Sequence, residues 1–145
     1  MKKISVVTIF LLLSPFLVSA ETVLRTGTTV SISNDTGVVG DFYGVGNVVT
    51  VSGILEGDFV TAAGRMTLNG EVKEDLTAVG GSVDVHGPVG DDVRVVAGDA
   101  VIANTVAGDV VVIGGAITVL STAVIEGDLF VYGGEVVVDG TVAGG

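Results

Sequence analysis

The sequence predicts an all-β chain folded as a single-stranded β-helix, a solenoid of about six 17-residue coils that follows an N-terminal signal peptide. Three observations predict it. Aspartate recurs at a fixed interval, since Asp41, Asp58, Asp75, Asp92 and Asp109 are 17 residues apart and Asp128 follows after 19. Apolar residues, mostly valine, hold constant offsets from those aspartates. Glycine recurs between the apolar rows, so each unit reads as strand formers broken by tight corners.

Residues 1–20 have the three regions of a secretory signal peptide: Lys2 and Lys3, then a largely apolar stretch from Ile4 to Leu17, then small residues ending at Ala20. Cleavage is expected before Glu21, because the apolar stretch is short for a membrane span. The chain is therefore expected to be exported and to work outside the cytoplasm, in the cell envelope or at a membrane. It contains no cysteine, which rules out disulfides, thiolate metal sites and a lipid-modified cysteine anchor. Beyond residue 20, four basic residues stand against 17 acidic ones, a net charge of −13. Such a surface repels nucleic acid and anionic lipid headgroups, so nucleic-acid binding is set aside.

Residues 21–40 match the repeat poorly and are expected to be an N-terminal capping segment, an irregular first coil in which Val30, Ile32 and Val38 cap the core and Arg25 suits such an end. Residues 41–145 carry the repeat. Offset one holds Phe42, Phe59, Leu76, Val93, Val110 and Leu129; offset eight holds Val49, Met66, Val83, Ala100, Ile117 and Val136. Offset ten holds Val51, Leu68, Val85, Ile102, Val119 and Val138; offset fourteen holds Leu55, Val72, Val89, Val106 and Val142, with Ile125 in the coil lengthened around Ser121–Val124. Glycine dominates offsets six and twelve, with Asn47 and Asn104 as substitutes, a pattern expected of left-handed corner positions. One coil cannot repay the entropy of ordering its own backbone, so coils must stack, and six at about 4.8 Å make a rod about 29 Å long. A β-sandwich would need hairpins and variable strand lengths, against which the constant period argues.

Offsets three and four are both largely apolar, yet strand alternation cannot point both inward. Either a kink at the glycine corner buries both, which is the favoured reading, or offset four (Val45, Ala62, Val79, Val96, Ile113, Tyr132) forms an exposed stripe suited to lateral assembly. At the other end, Val136, Val138 and Val142 belong to core rows that no later coil in this sequence covers. They are the candidate assembly residues, facing either further coils of a longer chain, which is the favoured reading, or another subunit.

The best-formed unit, Gly127-Asp128-Leu-Phe-Val-Tyr-Gly133-Gly134-Glu-Val-Val-Val-Asp-Gly140-Thr-Val142, resembles the bactofilins, bacterial polymer-forming cytoskeletal β-helix proteins. The resemblance covers roughly residues 40–145. It implies a right-handed β-helix that self-associates end to end without nucleotide. The signal peptide departs from the cytoplasmic members and looks more like exported relatives, in which a C-terminal region, absent here, supplies any membrane attachment.

Site candidates are few. The ladder of Asp41, Asp58, Asp75, Asp92, Asp109 and Asp128 is a candidate calcium site, but each aspartate sits at a corner, where bonding to its own turn backbone is the favoured role. His86 is the single histidine, at an outward offset, which disfavours metal binding and general-base work. Asn34-Asp35-Thr36 matches a glycosylation acceptor. An ice-binding threonine array is broken at offset nine by Asp84, Val101 and Val137. No nucleophile elbow or phosphate loop is present, and no cofactor is implied. The expected function is a non-enzymatic structural module that self-associates; the alternative is an extracytoplasmic module that binds calcium or glycan.

Overall fold

The structure, a computed structural model, describes residues 22–145; the predicted signal peptide lies outside the described residues. Long and short strands alternate: β1 (Val23–Ile32), β2 (Gly37–Val38), β3 (Phe42–Val51), β4 (Ile54–Leu55), β5 (Phe59–Leu68), β6 (Glu71–Val72), β7 (Leu76–Val85), β8 (Val93–Ile102), β9 (Thr105–Val106), β10 (Val110–Val119), β11 (Val124–Ile125), β12 (Leu129–Val138) and β13 (Thr141–Val142). The seven long strands form one parallel sheet in the order β1-β3-β5-β7-β8-β10-β12. The short strands stack beside it as two three-stranded sheets, linked through bridges from Val89 to Val72 and Val106. In that coil Pro88, which has no N–H to give, stands where the others start a short strand. The molecule is a β-solenoid in which each coil pairs only with its neighbours.

The register follows the 17-residue period without slippage: Phe59 pairs with Leu76, Leu76 with Val93, and Val93 with Val110. Each ladder skips one position, for example between the pairs Gly46–Ala63 and Val48–Arg65, and there the strand bends. What the sequence presents as two strands and a corner is one bent strand serving two faces. Inside, the rows at offsets one, eight, ten and fourteen pack into one column, with Phe42, Val51, Leu55, Phe59, Leu68 and Val72 at 0% exposure. The Phe42 and Phe59 rings stack with centroids 5.5 Å apart, and a Cβ at Gly44 would crowd the Phe42 ring at 3.2 Å. Thr61, the one buried polar side chain among the described residues, donates its hydroxyl to the Gly44 carbonyl at 2.9 Å.

Three expectations are corrected. The corner glycines are not left-handed: among the described residues no non-glycine residue has positive φ, and the single positive value there, 158° at Gly27, borders extended backbone. They are glycines because the coils approach closely, so that a Cβ on Gly87 would overlap the Gly70 carbonyl oxygen of the coil before. Asn104 takes the same row without strain by using its amide: Nδ2 donates to the His86 carbonyl at 2.8 Å, and Oδ1 accepts from Thr105 N–H at 2.7 Å. Secondly, offset four is exposed, with Val79 at 51% and Ile113 at 48%, whereas offset three is buried at Ala78, Val95 and Val112. Ordinary strand alternation persists through both, and the bend falls beyond them.

Thirdly, residues 23–38 make a regular coil, since β1 pairs with β3 from Val23–Phe42 to Ile32–Val51. Its two extra residues are taken up in a turn closed by Thr36 N–H to the Ser33 carbonyl. The sixth coil, also lengthened by two, closes the same corner with Ala123 N–H to the Leu120 carbonyl. Val30 and Ile32 stay buried at 4% and 2%, and Arg25 donates to the Ser31 carbonyl within the edge strand at 3.4 Å.

Core position along the rod governs stability. Leu68→Ala, in a fully covered coil, should cost about 2–5 kcal/mol. Val138→Ala, in the same row but 42% exposed, should cost about 1 kcal/mol or less. Denaturant unfolding of the two variants side by side measures the difference.

Candidate functional site

The aspartate corner is where the structure concentrates polar chemistry. At this point the chain turns from a short strand into a long one, and the aspartate N–H has no main-chain carbonyl opposite it. The aspartate of the preceding coil fills the gap: Asp58 N–H donates to Asp41 Oδ1 at 2.8 Å, Asp75 to Asp58 at 3.0 Å, Asp92 to Asp75 at 3.0 Å, Asp109 to Asp92 at 2.8 Å and Asp128 to Asp109 at 2.8 Å. The main chain completes the arrangement, since Phe42 N–H donates to the Asp58 carbonyl and the next residues repeat this down to Leu129 and the Gly145 carbonyl. The predicted role at a turn is therefore modified. Each side chain bonds not its own turn but the turn of the next coil, and the ladder fastens coil to coil. Hydrogen bonds from a neutral amide to a carboxylate are among the stronger ones a protein makes.

Stacked carboxylates repel, and the structure shows where this is worst. Asp75, Asp91 and Asp92 bring carboxylate oxygens within 4.8 Å of one another, as do Asp41, Asp58 and Glu74. At the first cluster Arg94 reaches in, with Nη2 at 3.2 Å from Asp92 Oδ2 and Nη1 at 4.0 Å from Asp75 Oδ2. Asp91, which like Glu74 replaces the glycine that precedes the other ladder aspartates, titrates above its ordinary value because the charge on Asp75, and then that on Asp92, opposes its ionisation. Asp35 behaves oppositely: Ser33 Oγ donates to its Oδ1 at 2.7 Å and holds its pKa down.

The remaining predicted candidates stay apart. His86 is exposed and distant in sequence register from the aspartate corner, and Asn34 lies in the exposed turn of the first coil. Val136 and Val138 are exposed at 39% and 42%, and Val142 is half-buried, whereas the rows they extend are covered elsewhere. A shallow groove of about 270 Å³, lined by Val111, Val112, Ile113, Phe130, Val131 and Tyr132, opens on the outer face of β10 and β12. Sequence reasoning did not find this groove. Its signal was available in Phe130 and Tyr132, two aromatic residues at outward offsets of one strand.

Compared with protein-family models, curated proteins and solved structures, the chain matches none of them. The geometry of the chain itself is what a functional reading must rest on.

Two outcomes check the aspartate corner. Asp58→Ala deprives Asp75 N–H of its acceptor and should cost about 1–3 kcal/mol, while Asp58→Asn keeps an acceptor oxygen and should cost clearly less. For Asp91 the folded chain holds the proton more tightly than the unfolded chain does. Its ionisation therefore subtracts stability as pH rises from the ordinary carboxylate value of 3.8, which the unfolded chain keeps, through the raised folded value. Asp91→Asn should raise the melting temperature at pH 7, with the gain vanishing as pH falls below about 4. Thermal melts of the variant and the parent across that range decide it.

Proposed function

We propose that the chain is a non-enzymatic structural module of the bacterial cell envelope that self-associates through the end of its solenoid. The observation that carries this is the contrast along single core rows. Val119 and Ile102 are fully covered, while Val138, next in the same row, is 42% exposed on a strand that pairs only with β10. An edge strand with open N–H and C=O groups over an apolar column is a template for one more coil. A second chain, or further coils of a longer one, would cover Val136, Val138 and Val142 equally well. The bactofilin-like form of the repeat supports the same reading, and the signal-peptide pattern of residues 1–20 supports an exported location. The strongly acidic surface disfavours nucleic acid and anionic lipid as partners. Among the described residues, no helix is long and apolar enough to cross a membrane.

A second reading, a calcium-binding module, has one observation in its favour, the two three-carboxylate clusters at the aspartate corner. Against it, one oxygen on each of five ladder aspartates already accepts an amide hydrogen bond.

The experiment is sedimentation and electron microscopy of residues 21–145, which hold all the core residues described above, in chelator and without nucleotide. Association through the solenoid end is expected, and Val138→Pro should abolish that end-to-end contact and any filament built on it by removing a ladder donor and blocking continued stacking. A protein that stays monomeric at high concentration overturns the proposal. Association that requires added calcium supports the binding module instead.

A further inference from the structure

The exposed row at offset four marks a second surface, distinct from the solenoid end. Offsets two and four of every coil point outward from the same flat side of the long sheet. Leu24 is 66% exposed, Phe130 61% and Tyr132 79%, with Val45, Val79, Val96 and Ile113 near half. The side runs the full seven strands, about 29 Å between its outermost coils. Its exposed apolar side chains present on the order of 900 Å², beyond the 300–600 Å² of the largest patch on a typical monomer and comparable with the 800 Å² each partner buries in a standard interface.

Charge narrows what this side accepts. Its fourteen positions contain no acidic residue, although the chain has 17, and they contain one basic residue, Arg94. Arg94 is already paired with Asp92 and Asp75. There is no basic rim to hold an anionic bilayer and no charge pattern to select a charged partner. Another copy of the same side is apolar where this one is apolar, and the aspartate ladder, which Arg94 reaches, borders the contact along one flank instead of interrupting it.

From this we infer that the offset-two and offset-four side is an isologous interface, on which a second copy of the chain lies face to face with its rod axis reversed. Reversal follows from two features. In a parallel arrangement each coil meets its own copy, which sets Arg94 beside Arg94. About a two-fold axis lying along β7, Arg94 meets Val60 instead, Val79 meets Val79, and the bulky Phe130 and Tyr132 meet the smaller Leu24 and Thr26. The groove between β10 and β12 then receives Leu24 and Tyr43 of the second copy, and a knob fills a hole at both ends of the contact. This interface involves none of Val136, Val138 or Val142, so it stands whether or not the solenoid end associates.

The chain contains no cysteine, so introduced thiols report the geometry directly. In residues 21–145, Val79→Cys should form a disulfide-linked dimer under mild oxidation. Leu24→Cys and Phe130→Cys should each cross-link poorly alone and well when mixed. Val79→Lys and Val79→Glu, which place charge at an exposed strand position, should keep the parent melting temperature, weaken self-association at least ten-fold, and restore it when mixed. Rising salt should tighten the parent dimer by screening its acidic flanks. Val138→Pro should leave the Val79→Cys cross-link unchanged, which separates this interface from association at the solenoid end. Absence of the Val79→Cys cross-link overturns the interface, as does efficient self-cross-linking of Phe130→Cys, which marks a parallel contact. So does flotation of a monomeric chain with phosphatidylcholine vesicles, which would assign the side to lipid.

Discussion

Parallel main-chain pairing between coils sets the distance at which every residue meets its counterpart one repeat away, about 4.8 Å. At that spacing like sits on like, and the chain must be able to tolerate a column of each residue it repeats. Valine and leucine tolerate it by packing, glycine by presenting nothing to the carbonyl beneath. The rows at offsets one, eight, ten and fourteen, and the close approach at Gly87, are two responses to one spacing.

Aspartate is the residue for which such a column is costly, and the structure shows why it persists. The carboxylate of one coil accepts the N–H of the next, so each like-charge contact along the ladder comes with a charge-assisted hydrogen bond. Where a further acid is added, at Asp91, no amide compensates, and the pKa of that side chain records the difference. Arg94 reaches the same cluster from an otherwise uncharged face. The ladder contributes to stability while remaining sensitive to anything that raises charge density at the corner.

The repeat was legible because period and burial coincide: a 17-residue interval names the paired residues directly, and Phe59–Leu76–Val93 could be read from spacing alone. What spacing does not encode is backbone conformation. A glycine required for close approach and a glycine required for left-handed φ leave the same mark in one sequence, and Asn104, which suggested the second, has its amide engaged with the His86 carbonyl. The aspartate's acceptor role was similarly half visible. A turn position implies a nearby N–H, but whether that N–H belongs to the same coil or the next depends on how the corners stack. The first coil was read as irregular because its extra two residues broke the count, although the interval from Thr22 to Asp41 equals that from Asp109 to Asp128. Val79 and Ile113 were misjudged because an apolar residue is ordinarily taken for a buried one.

Those two longer coils share more than their length. Each places its surplus at one corner, in a turn closed by the fourth residue's N–H to the first residue's carbonyl, and each returns to register before the next long strand begins. The solenoid thus has a seam along one edge where chain can be added without shifting the strands on either side. Such a seam is where descendants of this sequence can vary, and where a foreign peptide can be grafted and displayed beside the close-packed glycines of the same corner, while the aspartate corner, closed by carboxylates, holds the lattice fixed.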